Sequence, residues 1–262
     1  MPALVLDKPG SLATAVAEAL SPGAEVVAAL RSGHTALEAP TTKALEIEFR
    51  VLGKMAVASA DANGVVMESM ADVKRRISKI VAAMGIDIWT NTRVKPILEQ
   101  HQLEVANTTA QILNRFDLDV SLRDTLEKKI AKRGGKRVGM LDIKSATKES
   151  IFRAIEEGRE LGRSPKQTAK LFEDHVASGR FTKAGPRYRA RLIARTETLH
   201  GQRMASIDLY RTSPVVQNVV AFDGDSDAAC AARNGRVFSF DEAEVEAEEE
   251  HPNGTLAFGP VT

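Results

Sequence analysis

Four residues near the C-terminus have side chains of the types that bind metal ions: Asp225, Asp227, Cys230 and His251. Structural zinc sites are usually closed tetrahedra of cysteine and histidine, whereas these residues offer a single thiol, a single imidazole and hard carboxylates. The set is a poor match to zinc, and we expect no metal and no cofactor. In the alternative interpretation the aspartates cap turns, Cys230 fills a small buried slot and His251 bonds to a backbone carbonyl.

The number of cysteines limits the disulfides and zinc sites that the chain can form. Cys230 is the only cysteine among the 262 residues of the chain. An internal disulfide is therefore impossible, and so is a zinc site with two or more thiolates from one chain.

An acidic run, Asp241–Glu250, holds seven carboxylates in ten residues. Blocks of like charge repel one another, so this run is predicted to be a solvated, mobile loop. Its Glu-X-Glu spacings could indicate paired catalytic carboxylates, but no nucleophile and no cofactor cradle accompany them in the sequence. We therefore expect no catalytic residue here.

The segment Arg195-Thr196-Glu197 lies within a predicted long helix. Arg195 follows Leu192 by three residues and precedes Leu199 by four, which predicts that its side chain falls on the apolar stripe. A buried guanidinium needs partners, so we expect carboxylates or backbone carbonyls around it, most simply from the acidic C-terminal segment. The side chain would then be a structural ion pair; substrate binding and a stem that covers apolar surface are the alternatives.

A basic segment surrounds Gly134 and Gly135. The stretch Arg123–Arg211 contains 22 Lys or Arg against 11 Asp or Glu. Four cations flank the glycine pair: Lys132, Arg133, Lys136 and Arg137. This patch could contact phosphates of nucleic acid, with an affinity that is nonspecific and salt-sensitive. The alternative is ordinary solvated charge on helices, paired in part with the acidic end of the same chain.

The charge of the whole chain is nearly neutral, but it is unevenly distributed. The net charge is +1, while residues 212–262 carry ten acidic and two basic side chains. The neutral total predicts no global attraction to nucleic acid or to a membrane surface. No apolar run approaches the roughly 20 residues that span a bilayer, so we expect a soluble protein of the cytoplasm or of a particle assembled there.

The element pattern changes along the chain. Residues 1–43 are predicted to form a few short elements joined by turns, because Pro-Gly, Ser-Pro-Gly and Pro40 interrupt short apolar runs. Residues 44–162 carry apolar side chains at three- and four-residue steps, which predicts long helices, one of them ended by Gly85.

Residues 163–262 are predicted to form a separate α+β module. Ser164-Pro165 begins a helix, a long helix runs over Arg187–Arg211, and three short segments after Pro214 have the composition of strands. The predicted fold class is therefore α+β and mostly α, with long helices in the N-terminal two-thirds and a small C-terminal β-containing module.

The order of motifs in the last third of the chain is typical of one family. Arg-Leu-Ile-Ala-Arg-Thr-Glu-Thr at 191–198 is followed by the Asp and Cys residues of 225–230, by Asn-Gly-Arg-Val-Phe at 234–238 and by His-Pro-Asn at 251–253. With these motifs the chain resembles the Mu F-type minor head morphogenesis proteins of tailed bacteriophages. The resemblance is specific from about Ser164 to the C-terminus.

The sequence departs from that family in its cysteines. The family commonly shows a Cys-X-X-Cys pair and a His-Pro-Asn-Cys-Arg-Cys ending, whereas here Asp227 replaces the first cysteine and Gly254 and Leu256 replace the last two. The resemblance implies that the remaining motif residues hold the fold by hydrogen bonds and packing: Arg195, Thr196, Glu197, Asp225, Cys230, Gly235, His251, Pro252 and Asn253.

The resemblance also implies a function. It predicts a noncatalytic virion component that acts in head morphogenesis or DNA packaging and is located in the capsid interior or at the portal vertex, after assembly in the host cytoplasm. The expected partners are the portal protein or the major capsid protein, with nonspecific contact to packaged DNA and no membrane. The alternative is a metal-dependent or toxin-like enzyme that uses the C-terminal Asp, Cys, His and Glu cluster.

Overall fold

The computed structural model of the chain describes residues 9–63, 70–122, 128–129, 143–179, 184–224, 228–251 and 254–262. Its helices are α1 Pro9–Asn63, α2 Met70–Ala83, α3 Ile86–Trp89, α4 Lys95–Asn114, α5 Ile143–Glu160, α6 Pro165–Ser178, α7 Gly185–Tyr210, α8 Ala228–Arg233 and α9 Phe240–Glu249. Its strands are β1 Asn218–Phe222, β2 Val237–Phe238 and β3 Ala257–Val261, and a π-helical turn, Thr90–Val94, joins α3 to α4. The predicted fold class is confirmed, since a mostly helical chain ends in a small antiparallel sheet. Within the described ranges, no helix has the length and apolarity that crossing a membrane requires.

The chain divides into two compact units, each built from several segments. The first, the helical unit, contains α2, α3, α5 and α6 together with α1 from Leu37, α4 up to Gln102 and α7 up to Glu197. The second, the sheet unit, contains the three strands, α8 and α9 together with the remaining parts of α1, α4 and α7. Three helices therefore contribute to both units.

Local signals in the sequence explain where the helices of the helical unit begin and end. Ser164 caps α6 with a complete capping box, in which its hydroxyl accepts from the Gln167 amide and the Gln167 side chain accepts from the Ser164 amide. Gly85 follows α2 with a φ of 60°, a backbone conformation that favours glycine. Both boundaries agree with the sequence prediction.

The core of the helical unit is built where α1 passes α6. Phe49 and Phe172 are fully buried there, and a Cβ on Gly53 would lie 2.4 Å from the carbonyl oxygen of Glu173, so only glycine allows this approach. Arg189 is also buried. Its guanidinium lies 4.1 Å from the centre of the Phe49 ring and donates to the Val176 carbonyl at 2.9 Å, which satisfies the charge within the core.

The sheet unit contains an antiparallel sheet in the order β2-β1-β3. The central strand β1 pairs Val219 with Phe238 on one side and with Pro260 on the other. Because β1 lies in the middle, its residues Val219, Val220 and Ala221 are fully buried, and the β-branched run that predicted this strand is the core of the sheet.

The prediction of short elements joined by turns for residues 1–43 is wrong in the described part. Helix α1 continues without a break from Pro9 through Pro22 and Pro40 to Asn63. A proline inside a helix costs about 3 kcal/mol, so tertiary packing must outweigh it. The packing is close, since Leu30 is fully buried and a Cβ on Gly33 would lie 2.5 Å from the Ile112 side chain.

The acidic run is also not the mobile loop that its charge predicted, because it forms α9. Ser239 caps this helix through a capping box with Glu242. Ala243 and Ala247 lie four residues apart on one face and are both fully buried. The cap and the burial of this small-residue face therefore outweigh the repulsion between the carboxylates.

Candidate functional site

Several described C-terminal residues meet in the sheet unit around one buried side chain, Arg233. This arginine is the last residue of α8. Asp223, directly after β1, and Glu250, directly after α9, face it from chain separations of 10 and 17 residues. Three segments of the sheet unit are therefore joined at a single guanidinium, which we call the Arg233 cluster.

The contacts of the guanidinium are specific for its individual nitrogens. Nε donates to Asp223 Oδ2 at 2.6 Å, and Nη2 donates both to Glu250 Oε2 and, at 3.4 Å, to the Cys230 sulfur. Nη1 lies 3.6 Å from a carboxylate oxygen of Glu246. The side chains of Asp223 and Glu250 are completely buried, so these charge-assisted bonds are shielded from water.

Burial and hydrogen bonding act in opposite directions on Arg233. Desolvation lowers the pKa of the guanidinium, while the hydrogen bonds to Cys230 and Asp223 and the Asp223 charge raise it, and the net effect is a pKa above the ordinary value. The arginine therefore stays charged at every pH at which the protein is folded.

Further hydrogen bonds fix the position of Asp223. Its second carboxylate oxygen accepts from the Thr255 hydroxyl at 3.2 Å, and its amide donates to Asn234 Oδ1 at 3.0 Å.

Gly235 has a φ of 79° and donates to the Ala221 carbonyl at 2.8 Å, which turns the chain back along β1 after α8. Gly235 therefore lies in the turn between α8 and β2.

A thiol, a carboxylate and an imidazole converge beside the Arg233 cluster. One potential ligand atom each from Cys230, Glu250 and His251 lies within 4.8 Å of the others. His251 Nε2 is 3.8 Å from the Cys230 sulfur and 3.4 Å from Glu250 Oε1. Cys230 fills a buried position, as one of the sequence interpretations proposed, while the His251 side chain is half exposed.

The prediction for Arg195 is wrong, because this side chain is exposed on α7. A buried arginine does join α7 to the C-terminal segment, but it is Arg203, two helical turns later. Its Nη1 donates to the carbonyls of Gly254 and Leu256, each at 3.2 Å, and its side chain is 1% exposed. From the sequence, no role was predicted for Arg203.

The two residues after Arg195 are buried in the helical unit. Thr196 donates to the Leu192 carbonyl at 2.8 Å. The Gln102 side chain donates to both the backbone oxygen and the side chain of Glu197, at 2.8 and 3.1 Å. Thr196 and Glu197 are therefore both engaged in hydrogen bonds within the helical unit.

The remaining predicted site residues lie outside the described residues. They are Asp225, Asp227, Pro252 and Asn253 of the C-terminal motifs and Lys132, Arg133, Lys136 and Arg137 of the basic segment. Their predicted roles stay predictions.

A second feature, in the helical unit, is a row of cations on α7. The exposed residues of this helix are Arg187, Tyr188, Arg191 and Arg195, and all its other residues are half-buried or buried. The three arginines are spaced by four residues, so they follow one face over about 12 Å of helical rise. We call them the arginine row.

One carboxylate of the same unit lies near the arginine row. Burial raises the pKa of Glu38, and the positive charges of Arg195 and Arg191 oppose that effect. Arg191 also lies over the Tyr188 ring, 5.4 Å from its centre. The half-buried Glu38 therefore lies close enough to two of the three exposed arginines for their charges to affect it.

Sequence reasoning missed Arg203, Arg233 and Glu250 as key residues.

No family model matches this chain, and neither the curated proteins nor the solved structures compared with it include a match.

Proposed function

We propose that the protein is a noncatalytic minor head protein of a tailed bacteriophage, which acts in head morphogenesis at the portal or capsid interior. The proposal starts from the order of motifs between Ser164 and the C-terminus, which resembles the Mu F-type proteins. In this proposal the sheet unit is a rigid module and the helical unit carries the surface that contacts packaged DNA.

The observation that carries the DNA contact is the arginine row. A guanidinium offers several donors in a plane that matches the oxygens of a phosphate. Three such groups on one helix face, with a tyrosine among them, suit contact with the phosphates and bases of a nucleic acid. Contacts of this kind need no base sequence, as expected for a protein that meets a whole packaged genome.

The Arg233 cluster supports the noncatalytic part of the proposal. The Cys230 thiol is 1% exposed, and the carboxylate of Glu250 is buried against Arg233. A nucleophile or base must reach its substrate, whereas these groups face one another inside the unit. Joining β1, α8 and α9 is the role that this geometry favours.

Salt-dependent DNA binding tests the proposal. We expect the full chain to bind duplex DNA without sequence preference, and the triple variant Arg187→Gln, Arg191→Gln and Arg195→Gln to bind more weakly. The slope of log Kobs against log salt should become less negative by about 0.9 for each DNA phosphate that the variant no longer neutralises.

A matched control removes three exposed cations from α2 instead: Lys74→Gln, Arg75→Gln and Lys79→Gln. This variant has the same net charge as the arginine-row variant, so it should keep the wild-type slope if the row is the contact surface. Equal slopes for the wild type and the arginine-row variant would contradict the proposal.

The enzyme alternative has one observation in its favour, which is the convergence of Cys230, Glu250 and His251. Cys230 and Glu250 are buried, so a substrate could not reach them easily, whereas an ion could be bound between them. Whether an ion binds there is a question separate from DNA binding.

A further inference from the structure

We propose that the sheet unit binds one divalent transition-metal ion, best matched by Zn²⁺, through Cys230 Sγ, Glu250 Oε1 and His251 Nε2. This inference does not depend on the proposed function. It differs from the ligand set that the sequence suggested, because Glu250 takes the place of the aspartates and supplies a ligand from the end of α9.

The separations between the ligand atoms fit a tetrahedral zinc centre. With Zn–S bonds of about 2.3 Å and Zn–N or Zn–O bonds of about 2.0 Å, the edges of the tetrahedron are about 3.3 Å between nitrogen and oxygen and about 3.5 Å to sulfur. The His251 Nε2 atom is 3.4 Å from Glu250 Oε1 and 3.8 Å from the Cys230 sulfur. Small side-chain adjustments would bring all three atoms to bonding distance from one point.

A second observation at the same place concerns the hydrogen bonding of Glu250 Oε1. This oxygen is buried and makes no hydrogen bond to the residues that the structure describes, although His251 Nε2 lies 3.4 Å away and the other oxygen of the same carboxylate accepts from Arg233. A buried, unsatisfied carboxylate oxygen costs free energy, so native proteins rarely leave one without a proton, a donor or a cation. One carboxylate oxygen of Glu250 also lies within 4.8 Å of both other ligand atoms.

The surroundings supply the other properties of a metal site. Arg233 Nη2 donates to the Cys230 sulfur at 3.4 Å, so the guanidinium would be an outer-shell partner that orients this ligand. The fully buried carboxylates of Asp223 and Glu250 carry two negative charges, whereas Arg233 contributes one positive charge. The His251 side chain is half exposed, so one of the three ligands lies within reach of solvent.

The chain makes the test unusually specific, because Cys230 is its only cysteine. Tag-free, full-length protein is stripped with a chelator and loaded with Co²⁺, and the near-ultraviolet absorption is recorded. A thiolate-to-cobalt charge-transfer band can then come only from Cys230. In parallel, zinc retained after gel filtration is measured by elemental mass spectrometry.

We expect one Zn²⁺ per chain and a charge-transfer band that disappears in Cys230→Ser. The exposed ligand gives a second variant that avoids disturbing the core: His251→Gln should weaken zinc binding more than about 100-fold, since even outer-shell partners of metals are worth 10- to 100-fold. His175→Gln is the matched control, because His175 pairs with Glu157 at 2.8 Å in the helical unit and has no thiol beside it in the described structure.

Three results would overturn the inference. They are a protein that retains no zinc, a cobalt complex without the charge-transfer band, and a band that persists in Cys230→Ser. A midpoint of thermal unfolding that added Zn²⁺ does not raise would also contradict it. The metal site instead predicts a rise that depends on the concentration of Zn²⁺.

Discussion

Replacing Arg203 by methionine should destabilise the sheet unit by about 2 to 4 kcal/mol. Methionine keeps most of the volume of the side chain, so the main loss is the pair of hydrogen bonds to the carbonyls of Gly254 and Leu256. Leaving a buried carbonyl without its donor costs about 1 to 3 kcal/mol, which gives about 2 to 6 kcal/mol for two. The loss of the buried charge offsets part of this destabilisation, because the folded methionine variant has no guanidinium to desolvate.

The control for this prediction is Arg195→Met on the same helix. Arg195 is exposed, and substitutions at such positions usually change stability by less than about 0.5 kcal/mol. Urea unfolding followed by circular dichroism measures both variants against the wild type. The reasoning would be refuted if Arg203→Met lost less than about 0.5 kcal/mol, or if Arg195→Met lost as much as Arg203→Met.

Two further predictions concern buried titratable groups of the sheet unit. Burial lowers the pKa of His34, which lies 3.2 Å from the Val105 carbonyl. As the pH falls, the unfolded chain therefore binds a proton at His34 before the folded protein does, and the free energy of unfolding should fall below about pH 6.5. Urea unfolding should show a smaller pH dependence for His34→Gln than for the wild type. An unchanged pH dependence in this variant would contradict the prediction. Burial also raises the pKa of Tyr210, whose hydroxyl donates to the Phe258 carbonyl at 3.1 Å, whereas Tyr188, the other tyrosine, is 37% exposed. Ultraviolet titration should show that one tyrosine of the chain ionises only on unfolding; a titration in which no tyrosine waits for unfolding would exclude the burial of Tyr210.

Local sequence signals were sufficient for most of the secondary structure. The Ser164 cap, the glycine at position 85 and the β-branched run of β1 each depend on residues within one turn or strand, and each appears where it was predicted. These features need no knowledge of tertiary contacts, because capping and backbone preference act over a few residues.

The errors arise where tertiary packing decides the outcome. Helix α1 continues through Pro22 and Pro40 because its small and apolar residues pack closely, which composition alone does not reveal. The acidic run becomes α9 because Ala243 and Ala247 find a buried surface. Both cases show a local preference that a long-range contact overrides.

The buried arginines of the sheet unit were missed for a related reason. Residues 200–210 of α7 are buried on all sides, so the periodicity of the sequence gives no single face on which Arg203 could be recognised. Arg233 pairs with carboxylates 10 and 17 residues away, and only the folded arrangement of β1, α8 and α9 brings them together. Arg195, in contrast, is flanked by the half-buried Leu192 and Leu199, which suggested a buried stripe. The buried face of this part of the helix instead contains Ala190, Ile193, Ala194 and Glu197.

The composition of phage particles tests the proposed function most directly. Quantitative mass spectrometry can compare purified DNA-filled heads of the encoding phage with particles assembled without portal protein. A minor head protein should be present at a few copies per DNA-filled head, and a protein that docks on the portal should be depleted when the portal is missing. A chain that is abundant in the infected cell but absent from both kinds of particle would contradict the proposal.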